Sequence, residues 1–292
     1  VTIPGVVSVD GVVTPIEEGR VSAMDHGFLF GDSIYEVVRT LGGRPVAMTE
    51  HLARLRHSAE MTYLGLPWSD AEFVARIRAA FEASKLADAY VRLVVSRGAG
   101  PMTLLPGQCP RPSMIVYVMP LVLTAPAEFE RGIGVVVPDR LRNDRRALAP
   151  AAKTGNYLNN ALALVEAKRA GGDDAVMVNP EGFVTEATTA NVFWAKGGRV
   201  VTPSHDCGIL AGITREALLA AMRREGIETV EGRFAAADFR ACDEAFLTGT
   251  IRGVSPVVRI DGRAVGDGRP GPLARRAAAL NDQAIAALAR DW

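Results

Sequence analysis

Apolar and polar positions alternate through VVSVDGVVTPI at 6–16, and the Asp10-Gly11 pair at its centre suits a two-residue turn that requires positive φ. The chain therefore opens as a β-hairpin. From about Thr49 to Tyr63, Leu52, Leu55, Ala59 and Met61 keep one apolar side while Arg54, Arg56 and Glu60 project elsewhere, the spacing of an amphipathic helix. Ser69 with Glu72 three residues on is a capping box, which starts a second helix running to about Ser84. Two strand-like runs follow, AYVRLVVS at 89–96 and SMIVYVMP at 113–120. This first block reads as α+β with an antiparallel sheet.

The stretch PLVLTAPAEFERG at 120–132 carries little periodic signal and is the expected linker. Beyond it, GVVVPD reads as a strand, and Asn156 to Ala170 as an amphipathic helix stopped by Gly171-Gly172. Short strands AVMVN, FVTEA, ANVFWA and RVVT are separated by turns at Pro180-Glu181-Gly182 and Gly197-Gly198. A helix from about Thr214 to Glu225 ends at Gly226, strands fall around 227–232, 244–248 and 254–260, and GPLARRAAALNDQAIAALAR closes the chain as a helix. The expected division is an α+β domain over 1–119, a linker over 120–132 and an α/β domain over 133–292.

Composition narrows the classes. At 292 residues, 48% apolar and 23% charged, the chain suits one large or two modest globular domains rather than a disordered, collagenous or membrane protein. Lys plus Arg and Asp plus Glu are 33 each, and no polybasic run offers a face for a nucleic-acid duplex. Cys109, Cys207 and Cys242 lie far apart without a CxxC pair, which fits reduced thiols in a cytoplasm. No signal peptide is expected at the start, and no apolar run approaches the roughly 18 residues of a membrane span. Only four of the 33 cations are lysines, at 85, 153, 168 and 196.

That scarcity makes lysine chemistry easy to survey. No GxSxG elbow, HExxH or CxxC pattern, GxGxxG or P-loop occurs, so triad, metal and nucleotide chemistry are not indicated. His51 and His57 sit in a helix, where packed or solvated histidines are expected. Lys85, Lys168 and Lys196 read as solvated cations in polar or turn settings. Lys153 stands in ALAPAAKTGNYLNN, after an uncharged stretch and before a Thr-Gly turn that starts a helix, where an amine can be desolvated and kept nucleophilic. An ordinary surface lysine ahead of a helix fits the same position.

From Lys153 to Pro256 the chain closely resembles class IV aminotransferases, the fold-type IV pyridoxal 5'-phosphate (PLP) enzymes that include branched-chain aminotransferase, D-amino-acid aminotransferase and aminodeoxychorismate lyase. The matching stretches are KTGNYLNNALALVEAKRAGGDDAVMVNPEGFVTEATTANVFWAKGG, GILAGITREALL and DEAFLTGTIRGVSPV, and DHGFLFGDSIYEVVRT and MTEHLARL extend the match into the first block. The resemblance implies a two-domain α/β (α+β) fold of the D-amino-acid aminotransferase type, a homodimer, PLP as cofactor, and ping-pong transfer of an amino group to a 2-oxo acid such as 2-oxoglutarate. It implies Lys153 as the Schiff-base lysine and proton carrier, Glu186 on the pyridine nitrogen, Tyr157 on the phenolic oxygen and Leu210 on the ring face. For the phosphate it implies Arg54, a planar fork suited to phosphate oxygens, with Ile213 and Thr214 at a helix start and Thr250.

Substrate residues divide the family reading. Tyr90 and Arg92, one strand face apart, resemble the Tyr-x-Arg pair of branched-chain enzymes, and the Arg-x-His pair of D-amino-acid enzymes is missing from GAGPMTLL. Tyr35-Glu36-Val37 instead resembles the D-amino-acid enzymes. Arg97, Ile251 and His26 are further pocket candidates. A branched-chain L-amino acid is the favoured donor, D-alanine the rival; a PLP lyase and a non-catalytic PLP-binding protein are weaker readings.

Overall fold

A computed structural model describes residues 3–292, which form two compact units. The first comprises the chain up to Val122 together with Ala152–Asn156 and Ala286–Trp292; the second comprises Leu123–Ala151 and Tyr157–Ile285.

The first unit contains β1 (Val6–Val9), β2 (Val12–Pro15), α1 (His26–Phe30), β3 (Ser33–Leu41), β4 (Arg44–Pro45), α2 (Met48–Met61), α3 (Asp70–Ser84), β5 (Ala89–Ser96) and β6 (Ser113–Pro120). Its six strands form an antiparallel sheet in the order β2-β1-β6-β5-β3-β4. The hairpin turns at Asp10-Gly11 with positive φ at both residues, and the box between Ser69 and Glu72 is formed as expected. The elements not foreseen are α1, β3 and β4. Alternation along β3 and β5 turns Ile34, Val38, Val91, Leu93 and Val95 toward Leu52, Leu55, Phe73 and Ile77 of the two long helices, making one core. Glu36 lies between Ile34 and Val38 on that same face, so the strand's period alone buries a carboxylate. Tyr35, Val37 and their β5 neighbours Arg92 and Val94 share the opposite face.

Two distant segments complete this unit. Residues 153–155 lie antiparallel along the start of β3: Tyr35 N–H donates to the Lys153 carbonyl at 2.9 Å, Gly155 N–H donates to Ser33 at 2.7 Å, and Ile34 bridges Thr154. At the C-terminus, Ala47 N–H donates to Leu288, and the Trp292 indole donates to Gly43 at 2.8 Å with its ring 5.3 Å from Phe81.

The second unit contains α4 (Pro126–Arg131), β7 (Ile133–Val136), α5 (Leu158–Arg169), β8 (Asp174–Val178), β9 (Val184–Ala187), β10 (Asn191–Lys196), β11 (Arg199–Pro203), α6 (Ile213–Arg224), β12 (Thr229–Gly232), α7 (Ala236–Arg240), β13 (Glu244–Gly249), β14 (Gly253–Ile260), β15 (Arg263–Ala264) and α8 (Pro272–Leu288). Its mixed sheet runs β12-β11-β10-β13-β14-β7-β8-β9, with β15 beside β14. One core packs Trp194 against Phe234 and Phe239; another stacks Phe193 on Phe246 beneath Leu218, Met222, Ala277 and Leu280 of α6 and α8. Helix α4 falls within the stretch read as a linker. Among the described residues no helix is long and apolar enough to cross a membrane.

Candidate active site

Lys153 is fixed by its backbone before its side chain is considered. Besides the rung on β3, its N–H donates to Ser58 Oγ at 3.0 Å, and Ser58 in turn donates to the Arg54 carbonyl at 2.9 Å, so α2 holds the lysine from a second side. The side chain is half-buried, with Nζ 4.4 Å from the centre of the Tyr35 ring. The Arg92 guanidinium lies 3.9 Å from the same centre. The structure thus brings Lys153, Tyr35 and Arg92 together.

Arg54 projects from α2 onto Glu36, which accepts from its Nε at 2.7 Å and Nη2 at 2.8 Å; His51, one turn earlier, places Nδ1 2.7 Å from the same carboxylate. Burial alone would raise Glu36, but the Arg54 charge, with hydrogen bonds from Arg54 and His51, outweighs it and holds the carboxyl at about 2. Burial pushes His51 below its ordinary value, and the charges of Arg54 and Lys153 add to this against the pull of Glu36. His51 is therefore a neutral donor at pH 7, and Arg54 is the charge partner of Glu36.

The first unit holds three further expected residues. Arg97 gives Nε and Nη2 to Asp32, Nη1 to the Tyr63 carbonyl and Nη2 to the Thr62 carbonyl, all within 3.0 Å, so its donors tie β5 to the loop after α2. His26 is buried, with Nε2 2.9 Å from the Pro101 carbonyl and its ring against Phe30. Tyr90 sits opposite Met119 and Arg39 in the sheet.

In the second unit, Glu186 is the third residue of β9 and is 5% exposed. Its Oε1 accepts from Arg142 Nη2 at 3.0 Å; its Oε2 accepts from Asn191 Nδ2 at 3.2 Å and from Leu210 N–H at 3.0 Å. The Asn191 amide also donates to the Leu210 carbonyl, which pins the chain leading into α6. Gly212 caps α6 without any side-chain cap, and a Cβ there would come within 1.9 Å of Asn191 Oδ1, so close approach demands glycine. Ile213 and Thr214 follow as the first helical residues, with their N–H groups at the positive end of the helix dipole. Tyr157 stands at the start of α5; Thr250 and Ile251 are half-buried in the turn from β13 to β14.

The donors of the second unit suit a ligand with an anion at one end and a basic ring nitrogen at the other: a helix start without a capping side chain serves the anion and an oriented carboxylate serves the nitrogen. The first unit by itself offers a lysine held by its backbone for a carbonyl carbon and a buried arginine for an anion. PLP has these features.

Comparison with known proteins agrees. Residues 33–260 match the family model of class IV aminotransferases. A putative branched-chain-amino-acid aminotransferase of Methanocaldococcus jannaschii is 35% identical over 260 residues, covering 89% of each chain. The D-alanine aminotransferase of Bacillus licheniformis is 32% identical over 258 residues, 88% of this chain and 89% of that one. Among solved structures, the branched-chain amino acid aminotransferase of Thermobaculum terrenum in its PLP form superposes with a TM-score of 0.86 at 25% identity, over 97% of this chain and 94% of that one. The chain belongs to the class IV aminotransferases. It is a PLP-dependent aminotransferase.

Sequence reasoning missed Glu36, His51 and Ser58 as supports in the first unit, and Arg142, Asn160 and Asn191 in the second. Arg142 lies in LRNDRRALAP, where it reads like its neighbours Arg140 and Arg146, which pair with Glu166 and Asp144. Asn191 follows the β9–β10 turn as the last residue of the matched VTEATTAN, the one signal that could have drawn attention to it.

Proposed function

We propose that the enzyme takes amino groups from branched-chain L-amino acids and gives them to a 2-oxo acid such as 2-oxoglutarate. The observation that carries this is Arg92, whose guanidinium stacks on Tyr35 rather than on a carboxylate, while the Lys153 amine lies against the same ring. An amino acid presents the complementary pair: a carboxylate for the guanidinium in a charge-assisted contact, and an amino group beside the lysine. The names of the M. jannaschii relative and the T. terrenum structure support the donor class.

When bound, PLP supplies the electron sink for charge developing at the substrate Cα. Lys153 Nζ holds the cofactor and then moves the proton at Cα. Glu186 keeps a proton on the pyridine nitrogen, Tyr157 bonds the phenolic oxygen and Leu210 packs on the ring. Arg54, aimed by Glu36, is assigned to the phosphate from the first unit; in the second, the N–H groups of Ile213 and Thr214 and the Thr250 hydroxyl are assigned to it. Tyr35 and Tyr90 of the first unit, and Ile251 of the second, are assigned to the side chain of the substrate. Arg97 is left out of this set because Asp32, Thr62 and Tyr63 take its donors.

D-alanine is the second reading, favoured by Tyr35 and Val37 and by the name of the B. licheniformis relative. Stopped-flow conversion of bound PLP to the pyridoxamine form should respond to L-leucine. A response to D-alanine with none to L-leucine overturns the branched-chain reading. Arg92→Ala should raise the KM for the amino donor about tenfold or more, from the loss of one charge-assisted contact. Borohydride reduction and peptide mapping should place the pyridoxyl group on Lys153.

Self-association also belongs to this reading. Leu158, Leu162 and Val165, spaced along one face of α5, are 71%, 39% and 44% exposed, an apolar stripe that a second copy would cover. Sedimentation velocity should give a dimer. Three free thiols support a reducing compartment, the cytoplasm, which imaging of the tagged protein would check.

A further inference from the structure

Arg142 has no place in the roles assigned so far, yet its guanidinium lies directly on Glu186. It is 10% exposed and Glu186 7% at the side chain, so the pair is shielded from solvent and salt. Its guanidinium has two working arms. Nη2 donates to Glu186 Oε1 at 3.0 Å, and Nη1 donates to Asn160 Oδ1 at 3.2 Å. Nε is buried with no hydrogen-bond partner among the described residues, so those two arms carry the hold.

Asn160 is itself fixed. Its Nδ2 donates to the Thr188 carbonyl at 2.7 Å, which settles the direction of the amide and leaves Oδ1 to face the arginine. Thr188 is anchored in turn: its hydroxyl and N–H both donate to Asp174 Oδ1, and Arg252 donates to Asp174 Oδ2 at 3.0 Å. A polar chain therefore runs from the segment after Thr250 through β8 and α5 to the Glu186 carboxylate on β9. A carboxylate accepts about four hydrogen bonds. On Glu186 the neutral donors of Asn191 and Leu210 fall on Oε2, and the charged donor of Arg142 falls on Oε1.

We propose that Arg142 is a positioning residue for the cofactor: bridging Glu186 and Asn160, it fixes the direction of the Glu186 carboxylate and balances its buried charge, so that the carboxylate meets the pyridine nitrogen of PLP as an anion. The inference rests on the assignment of Glu186 to that nitrogen. Neither a single-armed cation nor a neutral amide at position 142 can hold both partners in this way.

The test uses holoenzyme reconstituted with ring-15N-labelled PLP and reads the 15N chemical shift of the ring nitrogen, which reports its protonation and which a merely structural role for Arg142 would leave alone. Arg142→Gln should move the signal toward the unprotonated value and lower kcat about tenfold to a hundredfold, with the KM for the amino donor unchanged. Arg142→Lys, which keeps the charge but loses the fork, should move it less and in the same direction, and stands alone if the Gln variant does not fold. A wild-type ring-nitrogen signal in either folded variant overturns the proposal. Glu186→Gln separates the two assignments: if it moves the signal and the Arg142 variants do not, only the role of Arg142 falls; if it too leaves the signal unchanged, both fall.

Discussion

Two buried glutamates, each paired with an arginine, hold opposite places in their networks. Glu36, in the first unit, gives one oxygen to Arg54 Nε and the other to Arg54 Nη2 and His51, so an arginine faces it across both oxygens. Glu186, in the second, meets a single arm of Arg142 on one oxygen and an amide and a backbone N–H on the other. With a cation on both oxygens, the carboxylate becomes part of the frame and its use is to aim the arginine. With one arm of a cation and two neutral donors, it is held in place while its negative charge remains available to a partner. The same ion-pair chemistry gives a bracket in one unit and a reactive surface in the other.

The comparison predicts effects of different kinds. Glu36→Gln leaves a buried Arg54 without its counter-charge and should cost about 3–5 kcal/mol of stability by urea unfolding, with weaker PLP retention in dialysis as a secondary loss. An unfolding midpoint equal to wild type would remove Glu36 from the frame.

Acid should act on the same bracket. The folded value of Glu36, about 2, lies below its ordinary 4.5, so its contribution of about 3 kcal/mol is complete above pH 4.5 and is lost as the pH falls toward 2. His51 is also shifted down, and its charging on acidification destabilises the fold in the same direction. Unfolding curves between pH 7 and pH 2.5 should show this slope, and Glu36→Gln should flatten it.

Glu186→Gln should instead keep the fold and the bound PLP while turnover falls about a hundredfold, the equivalent of about 3 kcal/mol in the barrier. Turnover near wild type would show that the second glutamate is a bracket as well. The smallest effect tests a third pair: Arg97→Met should cost about 1–3 kcal/mol of stability through the lost contacts to Asp32, Thr62 and Tyr63, and leave the KM for the amino donor unchanged. A raised KM with unchanged stability would return Arg97 to the substrate pocket.

Much of the fold was legible where local chemistry decides it. Ser69 with Glu72, Asp10-Gly11, and the β-branched runs at 89–96 and 113–120 carry their own starts and stops, and the structure places elements there. Strand β3 was not legible, because Glu36 and Arg39 interrupt its apolar pattern and only partners from α2 make a buried carboxylate tolerable. Helix α4 left a signal that went unread, a proline in its first turn with Glu128 reaching back to the residue before it. The lysine and glutamate of the site stood out by resemblance. Their supports did not, since Ser58, Arg142 and Asn191 become partners only after the chain has folded.

The rung that residues 153–155 add to β3 makes the nucleophile a matter of register. Two hydrogen bonds, one to the carbonyl of Lys153 and one from the N–H of Gly155, set which side chain of this segment faces which way. A strand alternates faces with every residue, so a slip by one position would turn the lysine away from Tyr35 and bring its neighbour round. A Cβ on Gly155 would come within 2.2 Å of Ser33 Oγ, so the close fit at this residue also opposes a shifted pairing. For redesign, a single insertion between Lys153 and Gly155 would leave the residue in the sequence and remove it from the reaction.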